Sequence, residues 1–267
     1  MPSVQFAAKK LTAALLNLPT MLALSIVLLT SGCGGSASST GGGTPTPPPS
    51  TAKEWTWMSG SSSTNAPGVY GTLGTASASN VPGARDSAVS WTDNSGNLWL
   101  FGGTELNGTV VEFLNDLWEF NPTAKTWTWI SGSNTINAEG VYGTLGTASA
   151  SNAPGARSSS VSWVDSSGNL WLFGGGGIDV AGASGDLNDL WEFSPTAKTW
   201  TWVSGSSTGN AQGVYGTLGT ASASNVPGSR AYAVSWIDGS GNLWLFGGGN
   251  SSTQGTVDFN DLWRYQP

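Results

Sequence analysis

Apolar and polar positions alternate along the chain in a pattern that recurs three times, with a period of about 72 residues. In the first copy, short alternating or apolar runs are separated by the turn sequences Asp-Asn-Ser-Gly-Asn and Asn-Pro-Thr. The runs cover residues 87–91, 98–101, 116–120 and 127–129. Period-two runs bounded by turn residues predict four antiparallel strands in meander order in each copy.

The most regular element of each copy is the run Gly-Asn-Leu-Trp-Leu-Phe-Gly-Gly, at 96–103, 168–175 and 241–248, followed by Asn-Asp-Leu-Trp. A fixed period with one double-glycine strand and one Trp-rich strand per copy predicts stacked β units. Four antiparallel strands per unit are typical of the blade of a β-propeller. No stretch after the N-terminal region shows a helical period, so the sequence predicts an all-β fold.

The repeated motifs resemble those of the kelch family, the galactose-oxidase type of propeller. The resemblance covers about residues 51–267 and implies three kelch-type repeats, at about 55–127, 128–200 and 201–267. The period exceeds the roughly 50 residues usual for kelch. The matching residues are the double glycines 102–103, 174–175 and 247–248, Trp118, Trp191 and Trp263 of the third strand, and Trp127 and Trp200 of the fourth strand.

The additional length lies before the first strand of each repeat, in the insert Gly-Val-Tyr-Gly-Thr-Leu-Gly-Thr-Ala-Ser-Ala-Ser-Asn. It is identical at 68–80, 140–152 and 213–225, and an arginine follows it each time (Arg85, Arg157, Arg230). One interpretation makes the insert a binding motif, with Tyr70, Tyr142 and Tyr215 as candidate ligand contacts. The other is recent duplication, with these tyrosines packing between blades. The arginines are predicted to be structural, pairing with loop carbonyls or a blade carboxylate.

Three blades are fewer than the four to eight of known propellers. Residues 54–57, Glu-Trp-Thr-Trp, have the pattern of a fourth strand, whereas 261–265 have that of a third strand. We therefore expect residues 51–57 to complete the last blade. Two arrangements stay open: a head-to-tail homodimer of six blades, or a shortened monomer whose missing blades a partner could supply.

The N-terminal region predicts export and lipidation. Lys9 and Lys10 precede an apolar run, which is the layout of a signal peptide over residues 1–32. The sequence Leu-Thr-Ser-Gly-Cys at 29–33 resembles the lipobox of bacterial lipoproteins, and Cys33 is the only cysteine. Residues 33–50 would then be the lipidated Cys33 and a Gly/Ser/Pro-rich tether. This predicts an extracytoplasmic protein, lipid-anchored to a bacterial outer membrane or cell surface.

Charge and composition exclude several functions. Without Lys9 and Lys10, the remaining 7 basic and 16 acidic residues give a formal charge of −9, which argues against nucleic acid as a partner. The absence of histidine excludes Ser-His-Asp triads and imidazole-ligated metals. We predict no catalytic residue, cofactor or metal site. Asp93, Asp165 and Asp238 each offer one carboxylate, too few for calcium, and are predicted to form Asx-type turns.

Specific chemistry is expected in the loops that differ between the copies, 104–114, 176–187 and 249–259, which should share one face with the inserts. Their acids, candidate binding residues, are Glu105, Glu112, Asp179, Asp186 and Asp258. The sequence thus predicts a non-catalytic module for protein or glycan binding, or adhesion. The alternative is a carbohydrate-modifying enzyme, such as a kelch-type sugar mutarotase.

Overall fold

The computed structural model describes residues 53–252 and 255–267. That part of the chain contains sixteen β-strands and no helix, so none of its segments is a helix able to span a membrane. The predicted signal peptide, Cys33 and the tether lie outside the described residues, and their assignment stays a prediction. Residues Trp55–Pro267 form one compact unit.

Blade 1 is a four-stranded antiparallel sheet, as the sequence predicted, with the strand order β1-β2-β5-β6. A separate hairpin, β3-β4, leaves the sheet between its second and third strands. Alternate residues of β1 are buried, because one face of the strand packs against the next blade. The strands are β1 Val89–Thr92, β2 Leu98–Phe101, β3 Thr104–Asn107, β4 Val110–Phe113, β5 Leu117–Asn121 and β6 Thr126–Ser131.

Blade 2 has the same meander, but its two middle strands continue without a break into the hairpin that is separate in blade 1. The order is β11-β10-β9, and both β8 and the short β7 pair with β9. The strands are β7 Arg157–Ser158, β8 Val161–Val164, β9 Leu170–Ile178, β10 Ser184–Ser194 and β11 Thr199–Ser204.

Blade 3 has only three strands in its main sheet, in the order β12-β13-β16, and a hairpin β14-β15. Within the described residues no strand pairs with the outer edge of β16, and residues 55–57 lie in no strand. The expected completion of the last blade therefore does not occur within the described chain. The strands are β12 Val234–Ile237, β13 Leu243–Phe246, β14 Gly249–Ser252, β15 Gly255–Asp258 and β16 Leu262–Tyr265.

The core lies between consecutive blades. The first strands of the blades are neighbours, since β1 contacts β8 and β8 contacts β12. Trp91 and Trp99 of blade 1 pack in one cluster with Leu170 and Leu172 of blade 2. A second cluster joins blade 2 to blade 3, with Trp163 and Phe173 on one side and Leu243 and Leu245 on the other. Each blade thus covers one face of the blade before it, as in a propeller.

The insert runs along the outer strand of the blade that follows it in the sequence. The Gly74 N–H donates to the Trp129 carbonyl (2.7 Å) and the Ser77 N–H donates to the Trp127 carbonyl (3.2 Å). The Asn80 side chain also donates to the Trp127 carbonyl, at 3.1 Å. The insert therefore caps the edge of the sheet, which would otherwise expose unpaired backbone groups.

Candidate functional site

Each blade is held by a buried network centred on the aspartate of its Asn-Asp-Leu-Trp motif. In blade 2, Asp189 accepts two hydrogen bonds from the Arg157 guanidinium (2.6 and 2.7 Å). It also accepts one from the Tyr142 hydroxyl (2.6 Å) and one from the Trp191 indole (2.7 Å). The Arg157 guanidinium donates in addition to the Gly174 carbonyl (3.2 Å). The prediction that the arginines are structural is confirmed.

The same network recurs in the other two blades, and its aspartate is most exposed in blade 3. Arg85 binds Asp116 at 2.6 and 2.8 Å, and Arg230 binds Asp261 at 2.5 and 2.8 Å. The side chains of Arg157 and Asp189 are both fully buried, whereas the Asp261 side chain is 16% exposed. Of the three aspartates that bind these arginines, only Asp261 is therefore in contact with solvent.

Burial and charge compete at these aspartates. Burial alone would raise the pKa of Asp189, but the Arg157 charge and the donated hydrogen bonds outweigh it, and the pKa is lowered. The pKa of Asp261 is likewise lowered to about 2, because hydrogen bonds from Arg230 and Trp263 outweigh its burial. The pKa of Tyr142 is raised, by burial and by the Asp189 charge. These groups hold fixed ionisation states around neutral pH and act as structural supports.

The tyrosines of the insert belong to this network. Tyr142 is buried and its ring contacts Trp191 and Trp202 of blade 2, with centroids 4.9 and 5.0 Å apart. Tyr70 contacts Trp118 and Trp129 of blade 1 in the same way. Their hydroxyls bind the aspartate of their own blade, and Tyr142 also belongs to the buried cluster between blades 1 and 2. Tyr215 binds Asp261 at 2.7 Å but is half exposed.

The predicted Asx-type turns are confirmed. The Asp93 carboxylate accepts from the Ser95 and Asn97 N–H groups, both at 2.9 Å, and from the Trp99 indole at 2.8 Å. Asp165 and Asp238 make the same contacts in their own blades. These carboxylates therefore hold the turn before the second strand of each blade. In the described part of the chain, no group of three or more Cys, Asp or Glu side chains is arranged to hold a metal ion.

The variable loops fold into hairpins along one edge of the blades, and the first two hairpins are each hydrogen-bonded to the segment that precedes the next blade. Asn137, which precedes blade 2, exchanges backbone and side-chain hydrogen bonds with Phe113 of the first hairpin (2.8 and 2.9 Å). Asn210 makes the same pair of contacts with Asp186 of the second hairpin (2.7 and 3.2 Å). The Asp186 carboxylate in turn accepts from the Ser251 N–H of the third hairpin, at 2.6 Å. We call this row of hairpins, residues 104–113, 178–186, 249–252 and 255–258, the hairpin edge.

The insert itself does not lie on this edge. The residues that follow it reach the hairpins, as the bridges Asp86–Thr104 and Ala231–Gly249 show, and Arg157 pairs with Gly177 of β9. Its central residues lie along the outer strands instead. The prediction of one common face is therefore correct for the residues that follow the insert and wrong for the insert itself, because the fourth strand offers carbonyl acceptors to the insert backbone.

The five candidate acids have different surroundings. Asp179 is buried and closes its own hairpin, accepting from the Ala181 and Ala183 N–H groups (2.8 and 2.9 Å) and from the Gly209 N–H (3.1 Å). Glu105 and Glu112 are half-buried and lie opposite each other on β3 and β4. The Asn137 side chain donates to Glu112. Of the five, Asp179 is clearly structural.

Asp186 and Asp258 lie together at a cleft of about 510 Å³ beside the third hairpin. Asp186 is buried, and its burial raises its pKa although the Ser251 N–H opposes this. Asp258 and Tyr232, which also line the cleft, are exposed. Two of the five candidate acids therefore line the same cleft.

The hairpins also expose aliphatic side chains that the sequence did not single out. In the first hairpin, Leu106 lies opposite Val111 on β3 and β4, and both are more than half exposed. Val180 of the second hairpin and Val257 of the third are also exposed. The sequence shows these apolar residues within the variable loops. It does not show the strand register of a hairpin, which is what places Leu106 opposite Val111.

No protein-family model matches the chain, and no curated protein matches it. Among solved structures, 104 chains are similar to this one. One of them is the structure of YjhT, with a TM-score of 0.41 and 17% sequence identity over 71% of this chain. The match spans 54% of the YjhT chain, so this chain corresponds to about half of that protein.

Proposed function

We propose that the protein is a kelch-type propeller, lipid-anchored through Cys33 outside the cytoplasm of a bacterium, which binds a protein ligand through the hairpin edge. The observation that carries the proposal is the contrast within each repeat. The blades are nearly identical in sequence, whereas the hairpins differ and expose aliphatic side chains beside acids. A rigid scaffold that carries variable, partly apolar loops is the usual arrangement of a binding surface.

The chemistry of the edge favours a protein over a glycan. Sugar sites commonly stack the ring on an exposed aromatic side chain, but the exposed large side chains of the described hairpins are aliphatic: Leu106, Val110, Val111, Val180 and Val257. Aliphatic side chains with flanking carboxylates suit a partner surface with apolar and basic residues. Binding through this edge needs no catalytic group.

The test is binding of the full chain, in detergent, to two arrays: purified surface proteins of the producing bacterium, and glycans. A double variant, Leu106→Thr with Val111→Thr, keeps β-forming residues but removes the apolar pair of the first hairpin. Its matched control is Leu73→Thr with Leu145→Thr, which changes two insert residues of the same exposure, 53%. We expect saturable binding to a protein that the hairpin variant loses and the control keeps.

Two results would contradict the proposal: equal loss of binding in both variants, or saturable binding to glycans alone.

The enzyme alternative rests on the cleft that contains Asp186 and Asp258. It predicts that the protein speeds the interconversion of sugar anomers, followed by NMR, and that Asp258→Asn abolishes this activity. We expect no acceleration.

Membrane anchoring is tested separately. The unchanged chain should incorporate a labelled fatty acid and sediment with membranes, and Cys33→Ser should do neither. Labelling of the Cys33→Ser variant would refute the assignment of the anchor.

A further inference from the structure

Blade 3 exposes the face that is covered in the other two blades. Trp236 is 52% exposed, whereas its counterparts Trp91 and Trp163 are 5% and 7% exposed beneath the following blade. Leu262 is 58% exposed, and its counterparts Leu117 and Leu190 are buried. These residues belong to an apolar groove of about 590 Å³, lined by Trp236, Ile237, Asp238, Trp244, Phe246 and Leu262. We call it the open face.

Blade 1 exposes the matching surface. In blades 2 and 3, Leu170 and Leu243 cover the face of the preceding blade and are 0% and 2% exposed. Their counterpart in blade 1, Leu98, is 44% exposed. The two interfaces within the chain therefore define a third, in which Leu98 would enter the open face.

The hydrogen bonds across the two existing interfaces show how the third would be made. The Trp91 indole donates to the Trp171 carbonyl (3.1 Å), and the Trp163 indole donates to the Trp236 carbonyl (2.9 Å) and the Trp244 carbonyl (3.2 Å). In the described chain the Trp236 indole has no such acceptor. The residue of blade 1 that corresponds to Trp171 and Trp244 is Trp99, so the missing acceptor would be the Trp99 carbonyl of a blade 1 that followed blade 3.

Among the described residues, no fourth strand lies at the outer edge of blade 3, and the insert beside it has no matching acceptors there. In blades 1 and 2 the outer strand supplies two Trp carbonyls to the insert backbone. In blade 3 the corresponding donors, the Gly219 and Ser222 N–H groups, have no partner among the described residues. Tyr215 is consequently 52% exposed, although its counterpart Tyr142 is 5% exposed.

Residues 55–60 already have the local geometry of the missing strand. The Trp57 indole donates to the Ser59 carbonyl (2.7 Å), as Trp129 does to Ser131 (2.9 Å) at the end of β6. Gly60 has φ +89°, close to the +82° of Gly132. Trp55, however, is fully exposed. The segment has the form of a fourth strand without a sheet to join.

A single docking event would satisfy both surfaces. The fourth strand of each blade leads directly into the next blade, so residues 55–60 lie just before blade 1, where a preceding blade would sit. We infer that a second copy of this chain docks its open face on blade 1, and that residues 55–57 of each copy complete blade 3 of the other. Trp57 would pair with Trp263 as Trp129 pairs with Trp118.

Two copies give six blades, which lies within the range of closed propellers, whereas three blades lie below it and nine above. The ring has two identical junctions related by a two-fold axis, so no edge stays open. Closure would also complete the hairpin edge. Asn65 is the counterpart of Asn137 in the repeat and has the same φ, +53°. It would hydrogen-bond to Asp258 of the other copy as Asn137 does to Phe113. This inference concerns assembly and does not depend on the ligand.

The first test is native mass spectrometry of the full chain released from detergent. A mass of two chains is expected. A single chain, or a ladder of open multimers, would overturn the closed two-copy ring. Trp236→Glu should weaken association by at least tenfold. Trp55→Ser should do the same, although it removes a side chain that is fully exposed in the described part of the single chain. The control Leu145→Glu, at the corresponding position of the blade 2 insert, is 53% exposed and lies away from the proposed junction, so this variant should stay dimeric.

Cysteine cross-linking locates the junction. The Ser159 N–H donates to the Ser87 carbonyl (2.9 Å), and the Tyr232 N–H donates to the Ser159 carbonyl (3.0 Å). By the same geometry, Ser87 of one copy should adjoin Tyr232 of the other. Mixed Ser87→Cys and Tyr232→Cys chains, treated with a short bismaleimide, should give a two-chain product, and each variant alone should not. The double variant Ser87→Cys with Ser159→Cys calibrates the reaction within one chain. Linking of that control without the mixed product would overturn the proposed junction.

Discussion

Removing the Asp189 carboxylate should be among the most damaging single changes in the fold. In Asp189→Ala, the fully buried Arg157 loses its counterion, and the Tyr142 hydroxyl and the Trp191 indole lose their acceptor. Breaking a buried pair in this way costs about 3 to 5 kcal/mol. Since a domain is stable by only about 5 to 15 kcal/mol, this is a large fraction of the total.

The assay is urea unfolding followed by tryptophan fluorescence. With a slope of about 2 kcal/mol per molar urea, a loss of about 4 kcal/mol lowers the midpoint by roughly 2 M. Tyr142→Phe, which removes one hydrogen bond and keeps the ring, should cost about 1 kcal/mol.

A double-mutant cycle tests whether the ion pair is the cause. Arg157→Met alone leaves a buried carboxylate and should cost about as much as Asp189→Ala. The double variant Arg157→Met with Asp189→Ala should be destabilised by about 3 kcal/mol less than the sum of the single changes. Costs that add to within about 0.5 kcal/mol would refute the reasoning, because they would show that the two side chains act independently.

Three further predictions follow from the same contacts. The pKa of Asp261 is lowered to about 2, so its ion pair contributes stability that is fully present above about pH 4 and is lost as the pH falls through 2. The free energy of unfolding should fall by about 2 kcal/mol across that window, as measured by urea unfolding. Lys198 of blade 2 pairs with Glu119 of blade 1 at 3.5 Å, and the counterparts of these two residues at the proposed junction are Lys125 and Arg264. Arg264→Glu should therefore tighten the dimer severalfold at low salt, by mass measurement on dilution; weaker association would contradict the proposed register. Gly205→Ala should destabilise by several kcal/mol, because at φ +85° its Cβ would clash with the Asn188 backbone oxygen. Gly146→Ala, at φ +73° in open space, should cost about 1 kcal/mol. Equal shifts in the thermal unfolding midpoint of the two variants would contradict this.

The strands could be predicted from sequence because each one is short, alternating and bounded by turn residues, and because the pattern appears three times. The run 98–101 is β2, and the predicted strands at 116–120 and 127–129 agree within one or two residues with β5 and β6. Repetition removes most of the ambiguity of a single short apolar run, since three aligned copies must adopt the same structure.

The supporting network was only partly visible in the sequence. That Arg157 needs a buried acceptor follows from its charge, but the choice of Asp189, 32 residues away, depends on how the strands stack. The position of Tyr142 could not be derived, because the insert has no strand pattern of its own and takes its place from the carbonyls of β11.

The candidate site shows the same division. The variable loops can be found from the sequence because they differ between otherwise similar repeats. The register of their hairpins cannot, so the sequence does not predict that Leu106 and Val111 lie opposite each other and exposed. The loop position of Asp179 predicts a ligand contact, yet its carboxylate closes its own hairpin. Short loops allow several turn geometries, and an acid in a loop can either cap backbone N–H groups or face solvent.

The measurement that tests the central claim most directly is imaging of the detergent-solubilised full chain by electron microscopy, with averaging of face-on particles. The account predicts a closed ring of six blades around a central opening, with each chain contributing three. A three-bladed arc, or a ring with another number of blades, would contradict it.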